Sequence, residues 1–104
     1  MHEISDSADL QGLVSANDVV FLDIYATWCG PCKKLAPVFQ QLSEVHQNAV
    51  FVASNCSDSQ EIAHELGVSS IPTFIVFIRG VEAARCVGGN VDKLRNFVAQ
   101  YSNN

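Results

Sequence analysis

Positive charge is scarce in this chain. Six Lys and Arg face eleven Asp and Glu, a net charge of −5 over 104 residues, and the only adjacent cations are Lys33 and Lys34. Without a basic patch there is no electrostatic footprint for nucleic acid or for an anionic membrane surface. Long apolar runs are missing too: none approaches the ~20 residues that span a bilayer. Residues 1–9 are polar and acidic rather than a basic stretch leading into an apolar one, so no secretory leader is expected in the chain as it stands. Proline and glycine are sparse, at three and six residues, and no linker, repeat or low-complexity segment interrupts the sequence. One domain covering residues 1–104 is expected, large enough to bury a core without covalent staples. Four cysteines in such a chain do not make a secreted disulfide scaffold, and a reducing compartment, the cytoplasm, is the expectation.

What is present alternates between strand and helix patterns. Residues 2–4 suit a brief edge strand. Asp6 and Ser7 are N-cap residues ahead of Leu10, Leu13 and Val14, which repeat at helical spacing. Val19–Tyr25 is continuous and β-branched or aromatic, as in a strand buried on both faces, and a single carboxylate, Asp23, interrupts it. From about Pro31, Leu35, Val38, Phe39, Leu42 and Val45 form the stripe of a longer helix with Pro37 inside it. Residues 49–53 read as a second buried strand. A helix over residues 57–67 follows, with Ile62 and Leu66 inward and Gly67 as its stop. Residues 74–78 and 82–87 make a hairpin about Arg79-Gly80. Gly88-Gly89-Asn90 caps a last helix whose inward stripe is Val91, Leu94, Phe97, Val98 and Tyr101. Ser102-Asn103-Asn104 is expected to fray. The order βαβαβαββα predicts an α/β fold, a central mixed β-sheet with helices on both faces, in which residues 19–53 form a right-handed crossover unit. Reaction sites gather at the carboxyl ends of such strands.

Trp28-Cys29-Gly30-Pro31-Cys32 sits at that end, between the strand and the long helix. Two cysteines spaced by two residues can close a small disulfide. With the second one helical turn beyond the first, both sulfurs meet at a helix N-terminus, where unpartnered N–H groups and the helix dipole favour a thiolate at Cys29. Gly30 permits a close turn and Pro31 early in the helix gives up no needed hydrogen bond. Trp28 would shield one side of the pair. A plain disulfide staple, or half of a zinc site, is the alternative. Zinc wants four ligands, and no second C-x-x-C or H-x-x-x-H follows; His2, His46, His64, Cys56 and Cys86 are scattered singly, so no metal site is expected. C-x-x-C beside a βαβ pattern points instead to redox chemistry.

From end to end the chain resembles the thioredoxin family. The resemblance rests on Asp23 six positions before Cys29, on Trp28-Cys29-Gly30-Pro31-Cys32-Lys33, on Pro37, on Ile71-Pro72-Thr73, and on Gly80 with Gly88. Members of that family are themselves the reference case for a C-x-x-C thiol of lowered pKa, so agreement on that point adds no independent support. The resemblance implies a thioredoxin fold and a thiol–disulfide oxidoreductase, a protein-disulfide reductase working through a reversible Cys29–Cys32 disulfide. Cys29, nearer the solvent, would be the attacking thiol, Cys32 the resolving thiol, Asp23 a buried proton acceptor, and Pro72 a cis-proline facing the disulfide. Trp28, Gly30, Pro31, Ile71, Pro72, Gly88 and Gly89 would form the substrate-contact rim. Pro31, where isomerase-type relatives carry histidine, argues for the reducing direction.

No bound cofactor or metal is implied. The family's partner is thioredoxin reductase, which uses NADPH and FAD, and its substrates are disulfide-containing proteins such as peroxiredoxins or ribonucleotide reductase. A monomer without nucleic-acid or membrane partners is expected. Where thioredoxins often carry a lysine on the strand beside the buried aspartate, this chain has Val52-Ala53-Ser54-Asn55. Cys56 and Cys86 lie outside the motif and read as packed or surface thiols. A different class of function would be a binding or assembly module that docks partners around Ile71-Pro72, with turnover incidental.

Overall fold

In a computed structural model that describes residues 1–103, the chain runs β1 (His2–Glu3), α1 (Ser7–Ala16), β2 (Val19–Tyr25), α2 (Gly30–Val45), β3 (Val50–Asn55), α3 (Glu61–Glu65), β4 (Thr73–Ile78), β5 (Val81–Val87) and α4 (Val91–Tyr101). The strands form one mixed sheet in the order β1-β3-β2-β4-β5. β1 and β2 both pair parallel with β3, and β4 runs antiparallel to β2 and β5. This is the thioredoxin fold.

β2 is central, and its alternation explains the two layers. Val19 and Phe21 point into a cluster with Leu35 and Phe39 of α2 and Leu94, Phe97 and Val98 of α4. Val20, Leu22 and Ile24 point into the other, with Leu10 and Val14 of α1 and Ile62 of α3. Side chains alternate between the faces of a strand, so Asp23 belongs to the α2 and α4 side. There Phe21 stacks on Phe51 with ring centroids 4.9 Å apart, and Phe39 leans on Phe74 at 5.4 Å. Phe39 is 1% exposed; truncating such a ring costs about 3–5 kcal/mol.

Local chemistry sets the boundaries. Asp6 caps α1 by accepting from the Asp9 N–H at 2.8 Å, and Asn90 caps α4 by accepting from Lys93 at 2.9 Å. Arg79 and Gly80, at φ 49° and 84°, make the two-residue hairpin turn, with positive φ at both central positions as such turns require.

Three expectations fail here. The helix expected over residues 57–67 shrinks to Glu61–Glu65. The Asn55 side chain accepts from the Ser57 N–H at 3.1 Å, and the Asn55 carbonyl takes the Asp58 and Ser59 N–H groups, so a local turn competes with the first helical turn. Val45 is 73% exposed rather than inward; it is the last residue of α2, and Ala49 joins Leu42 in closing the core there. Ser102 does not fray. It is buried, its N–H donates to the Val98 carbonyl at 2.9 Å, and its carbonyl accepts from Asn48. Asn104 lies outside the described residues. Among the described residues no helix is long and apolar enough to cross a membrane.

Candidate active site

β2 ends at Tyr25, and α2 begins five residues later, so the Trp28–Cys32 segment is held at the carboxyl edge of the sheet. Cys29 is itself the N-cap of α2, with extended backbone, and its Sγ accepts from the Cys32 N–H at 3.2 Å. Gly30 and Pro31 fill the first two helical positions, where a missing N–H costs nothing. No carboxylate lies in the first turn, and Lys33 and Lys34 follow. A negative sulfur at Cys29 therefore meets a hydrogen-bond donor and the positive end of a sixteen-residue helix.

Cys29 and Cys32 are joined as a disulfide with Cα atoms 5.2 Å apart, inside the range a disulfide bridges. Both are buried, Cys29 at 5% exposure, so the expectation of a more solvent-exposed Cys29 is corrected: in the closed pair it packs with Ala26 and Cys32, against Tyr25, Cys56 and Ile71. Trp28 does not supply that cover. It stands 73% exposed and lines a groove of about 290 Å³ with Cys56, His64, Val68 and Ile71. The exposed indole and the half-buried Ile71 leave an apolar patch open to solvent there.

Other residues expected to contact substrate lie at the same edge. The Ile71-Pro72 bond is cis, and the Ile71 carbonyl oxygen lies 4.0 Å from Cys29 Sγ. Gly88, at φ 107°, donates its N–H to the Pro72 carbonyl at 3.0 Å. Gly89 presses on the start of α2, where an added Cβ would sit 2.9 Å from Pro31 Cβ. Gly89→Ala should therefore push Pro31 and the α2 start apart, costing about 1–3 kcal/mol as overpacking does. Disulfide-reduction assays should show a raised KM for a protein substrate with little change toward a small disulfide. An unchanged KM would remove Gly89 from the rim.

Asp23 lies deeper. It is 5% exposed, its register partners are Ala53 and Phe74, and its Oδ1 has no hydrogen-bond partner. Burial, with the negative charge of Glu3 as a smaller contribution, pushes its carboxyl up from 3.8 to about 7. No lysine offsets it. Asp23 opens on a cleft of about 380 Å³ lined also by Glu3, Tyr25, Ala36 and Pro37. Tyr25 and Ala36 also line an adjoining recess that reaches Cys32, so Asp23 and Cys32 occupy neighbouring hollows without a direct hydrogen bond. The sequence reading missed Glu3 and Tyr25 on the Asp23 side, and Cys56, His64 and Val68 in the Trp28 groove. Of the cysteines outside the pair, Cys86 is buried, and burial pushes its thiol pKa up.

A family model described as thioredoxin matches residues 2–100. The chain belongs to the thioredoxin family. Mitochondrial thioredoxin-2 of Schizosaccharomyces pombe is 39% identical over 101 residues, 97% of this chain and 76% of that one. A solved thioredoxin structure from Plasmodium falciparum superposes with a TM-score of 0.93 at 28% identity, covering 97% of this chain and 99% of the other. A chain from a structure addressing the thiol-resolving mechanism of a yeast mitochondrial 1-Cys peroxiredoxin via glutathione/thioredoxin systems superposes at 0.91, with 28% identity over 96% of this chain and 94% of that one. Family and disulfide pair together make this thioredoxin a thiol–disulfide oxidoreductase acting as a protein-disulfide reductase. Its electrons are carried in the cysteine pair, and the chemistry needs no bound cofactor.

Proposed function

We propose that Cys29 attacks the substrate disulfide and Cys32 resolves the product. The supporting observation is Cys29 at the N-cap of α2 with its Sγ accepting the Cys32 N–H. That arrangement stabilises a thiolate at Cys29, while Cys32 lies one turn into the helix. In the reduced protein the Cys29 thiolate attacks one sulfur of a substrate disulfide, forms a mixed disulfide and expels the other substrate sulfur as a thiolate. Cys32 then loses its proton, its thiolate attacks Cys29 Sγ, the second substrate thiolate leaves, and the Cys29–Cys32 disulfide closes. Two electrons pass to the substrate, which takes up two protons.

Asp23 is the acceptor of the Cys32 proton in this reading. Its carboxyl, holding a proton to about 7, is closer to a thiol in proton affinity than a free carboxyl is, and the two hollows that share Tyr25 and Ala36 give room for a water to carry the proton between them. Trp28, Gly30, Pro31, Ile71, Pro72, Gly88 and Gly89 form the surface that receives the substrate segment.

The pair is re-reduced by an NADPH-dependent, FAD-containing thioredoxin reductase, and the substrates are protein disulfides of the peroxiredoxin or ribonucleotide reductase kind. The peroxiredoxin study among the structural relatives favours the first. We place the protein in a reducing compartment, the cytoplasm, acting as a monomer; the two free cysteines, Cys56 and Cys86, suit such surroundings.

The test is reduction of insulin coupled to NADPH oxidation by a thioredoxin reductase. The chain should turn over, and the Cys29→Ser/Cys32→Ser double variant should fall to background while keeping its fold by circular dichroism. Turnover retained in the double variant would overturn the assignment.

A further inference from the structure

On the face of the sheet that carries Asp23, two carboxylates stand in one row. Glu3 of β1 and Asp23 of β2 share a single register partner, Ala53 of β3, between them. Residues in register point to the same face, and a strand spacing of about 4.8 Å puts the two acidic Cα atoms roughly 10 Å apart. The methyl of Ala53 is too small to fill the gap, and both acids line the 380 Å³ cleft. Glu3 is exposed but tied to the neighbouring strand. Tyr25 lies two residues beyond Asp23 on β2, on the same face, and its hydroxyl donates to Glu3 Oε2 at 2.9 Å. Asp23 Oδ1, by contrast, has no partner in the protein.

We propose that Glu3 is a positioning residue for the resolving step: anchored by Tyr25 at the cleft, its negative charge adds to burial in holding a proton on Asp23. Two carboxylates facing one cleft resist ionising together, even with Glu3 exposed and only Asp23 buried. With Glu3 ionised, a proton arriving on Asp23 relieves that repulsion, so Asp23 becomes a stronger acceptor for the Cys32 proton than burial alone would make it. The remaining ionisable groups around Asp23 are few. β2 contributes Tyr25, α2 contributes Cys32 and Lys33 in the turn before Ala36, and Met1, which carries the terminal amine, lines the cleft. β3 and β4 present only Ala53 and Phe74, with Cys86 one register position further on. Burial first, then the hydrogen bond to Glu3 and the charges of Glu3, Asp23 and Asp58, push the Tyr25 hydroxyl up to about 12. Tyr25 therefore stays protonated and able to donate wherever Asp23 titrates.

The inference rests on Asp23 as the proton acceptor, yet its test can fail separately. The carboxyl carbon of Asp23 would be titrated by ¹³C NMR in the oxidised wild-type, Glu3→Gln, Glu3→Asp and Tyr25→Phe proteins. Removing one unit charge at this separation should lower the Asp23 midpoint by about half to one pH unit in Glu3→Gln. Glu3→Asp, which keeps the charge, should restore most of it, and Tyr25→Phe should give a smaller fall as the anchor is lost. An unchanged midpoint in Glu3→Gln, or an equal fall in Glu3→Gln and Glu3→Asp, would overturn the proposal, the second outcome marking a loss of packing rather than of charge. Single-turnover resolution of the mixed disulfide in the same proteins tests the acceptor role itself. If the midpoint moves and the acid limb of the resolving rate does not follow, Glu3 still governs Asp23 and it is the acceptor assignment that falls.

Discussion

Asp23→Asn should stabilise the oxidised protein by up to ~4 kcal/mol at pH 8 and by almost nothing near pH 3.5. The pH dependence follows from where the carboxyl holds its proton. Unfolded, it ionises at its ordinary 3.8; folded, burial and Glu3 keep it protonated to about 7. Between those values the folded state binds a proton that the unfolded state does not, so stability falls as pH rises through the window. Above about 7 the fold carries an ionised carboxylate at 5% exposure with an unpartnered oxygen, and the full penalty is in force. Below 3.8 both states are neutral and the penalty vanishes. Asn removes the charge with little change of shape, although its amide also lacks a partner, which makes 4 kcal/mol an upper value. Urea unfolding of both proteins at the two pH values measures the difference. Equal stability differences at pH 3.5 and 8 would show that Asp23 does not titrate in the fold. The same substitution should slow the resolving step by about tenfold to a hundredfold, the low end of what a positioned base contributes, because water can replace it in part.

The second large effect is a division of labour between the cysteines. Cys32→Ser should keep attack on a substrate disulfide and lose its resolution, so that the mixed disulfide accumulates in stoichiometric amount. Cys29→Ser should lose attack altogether. The asymmetry comes from the cap: the Cys32 N–H points at Cys29 Sγ, whereas Cys32 lies one turn inside the helix, where the positive end of the dipole is already partly spent. Cys86 should not substitute for either, since it is buried in the core with Phe74 and Leu94 and its thiol is pushed up by desolvation. A buried neutral thiol is a slow nucleophile.

Much of this is legible in the sequence. An uninterrupted β-branched and aromatic run identified β2 as a strand covered on both faces, and a lone carboxylate in such a run had to be buried. The spacing of Cys29 and Cys32, followed by a helical stripe, put both sulfurs at a helix start. What escaped depends on contacts between distant residues or on competition between local ones. β1 is two residues long, and nothing in His2-Glu3 says that it pairs with β3, so Glu3 could not be placed beside Asp23. Val45 fits the helical stripe but stands at the point where α2 leaves the core, and periodicity does not tell where a neighbour ends. Asn55 diverted the next turn through its side chain and carbonyl, shortening α3. The burial of Cys29 was missed because nearness to the helix end was equated with exposure, while Tyr25, Cys56 and Ile71 close over it from three other segments.

The most direct measurement is the mass of the species trapped when a disulfide substrate is added to the reduced Cys32→Ser and Cys29→Ser proteins, followed by peptide mapping. The mechanism predicts one covalent adduct in the Cys32→Ser protein, located at Cys29, and none in the Cys29→Ser protein. An adduct at Cys32 in the Cys29→Ser protein, with none at Cys29 in its counterpart, would contradict it.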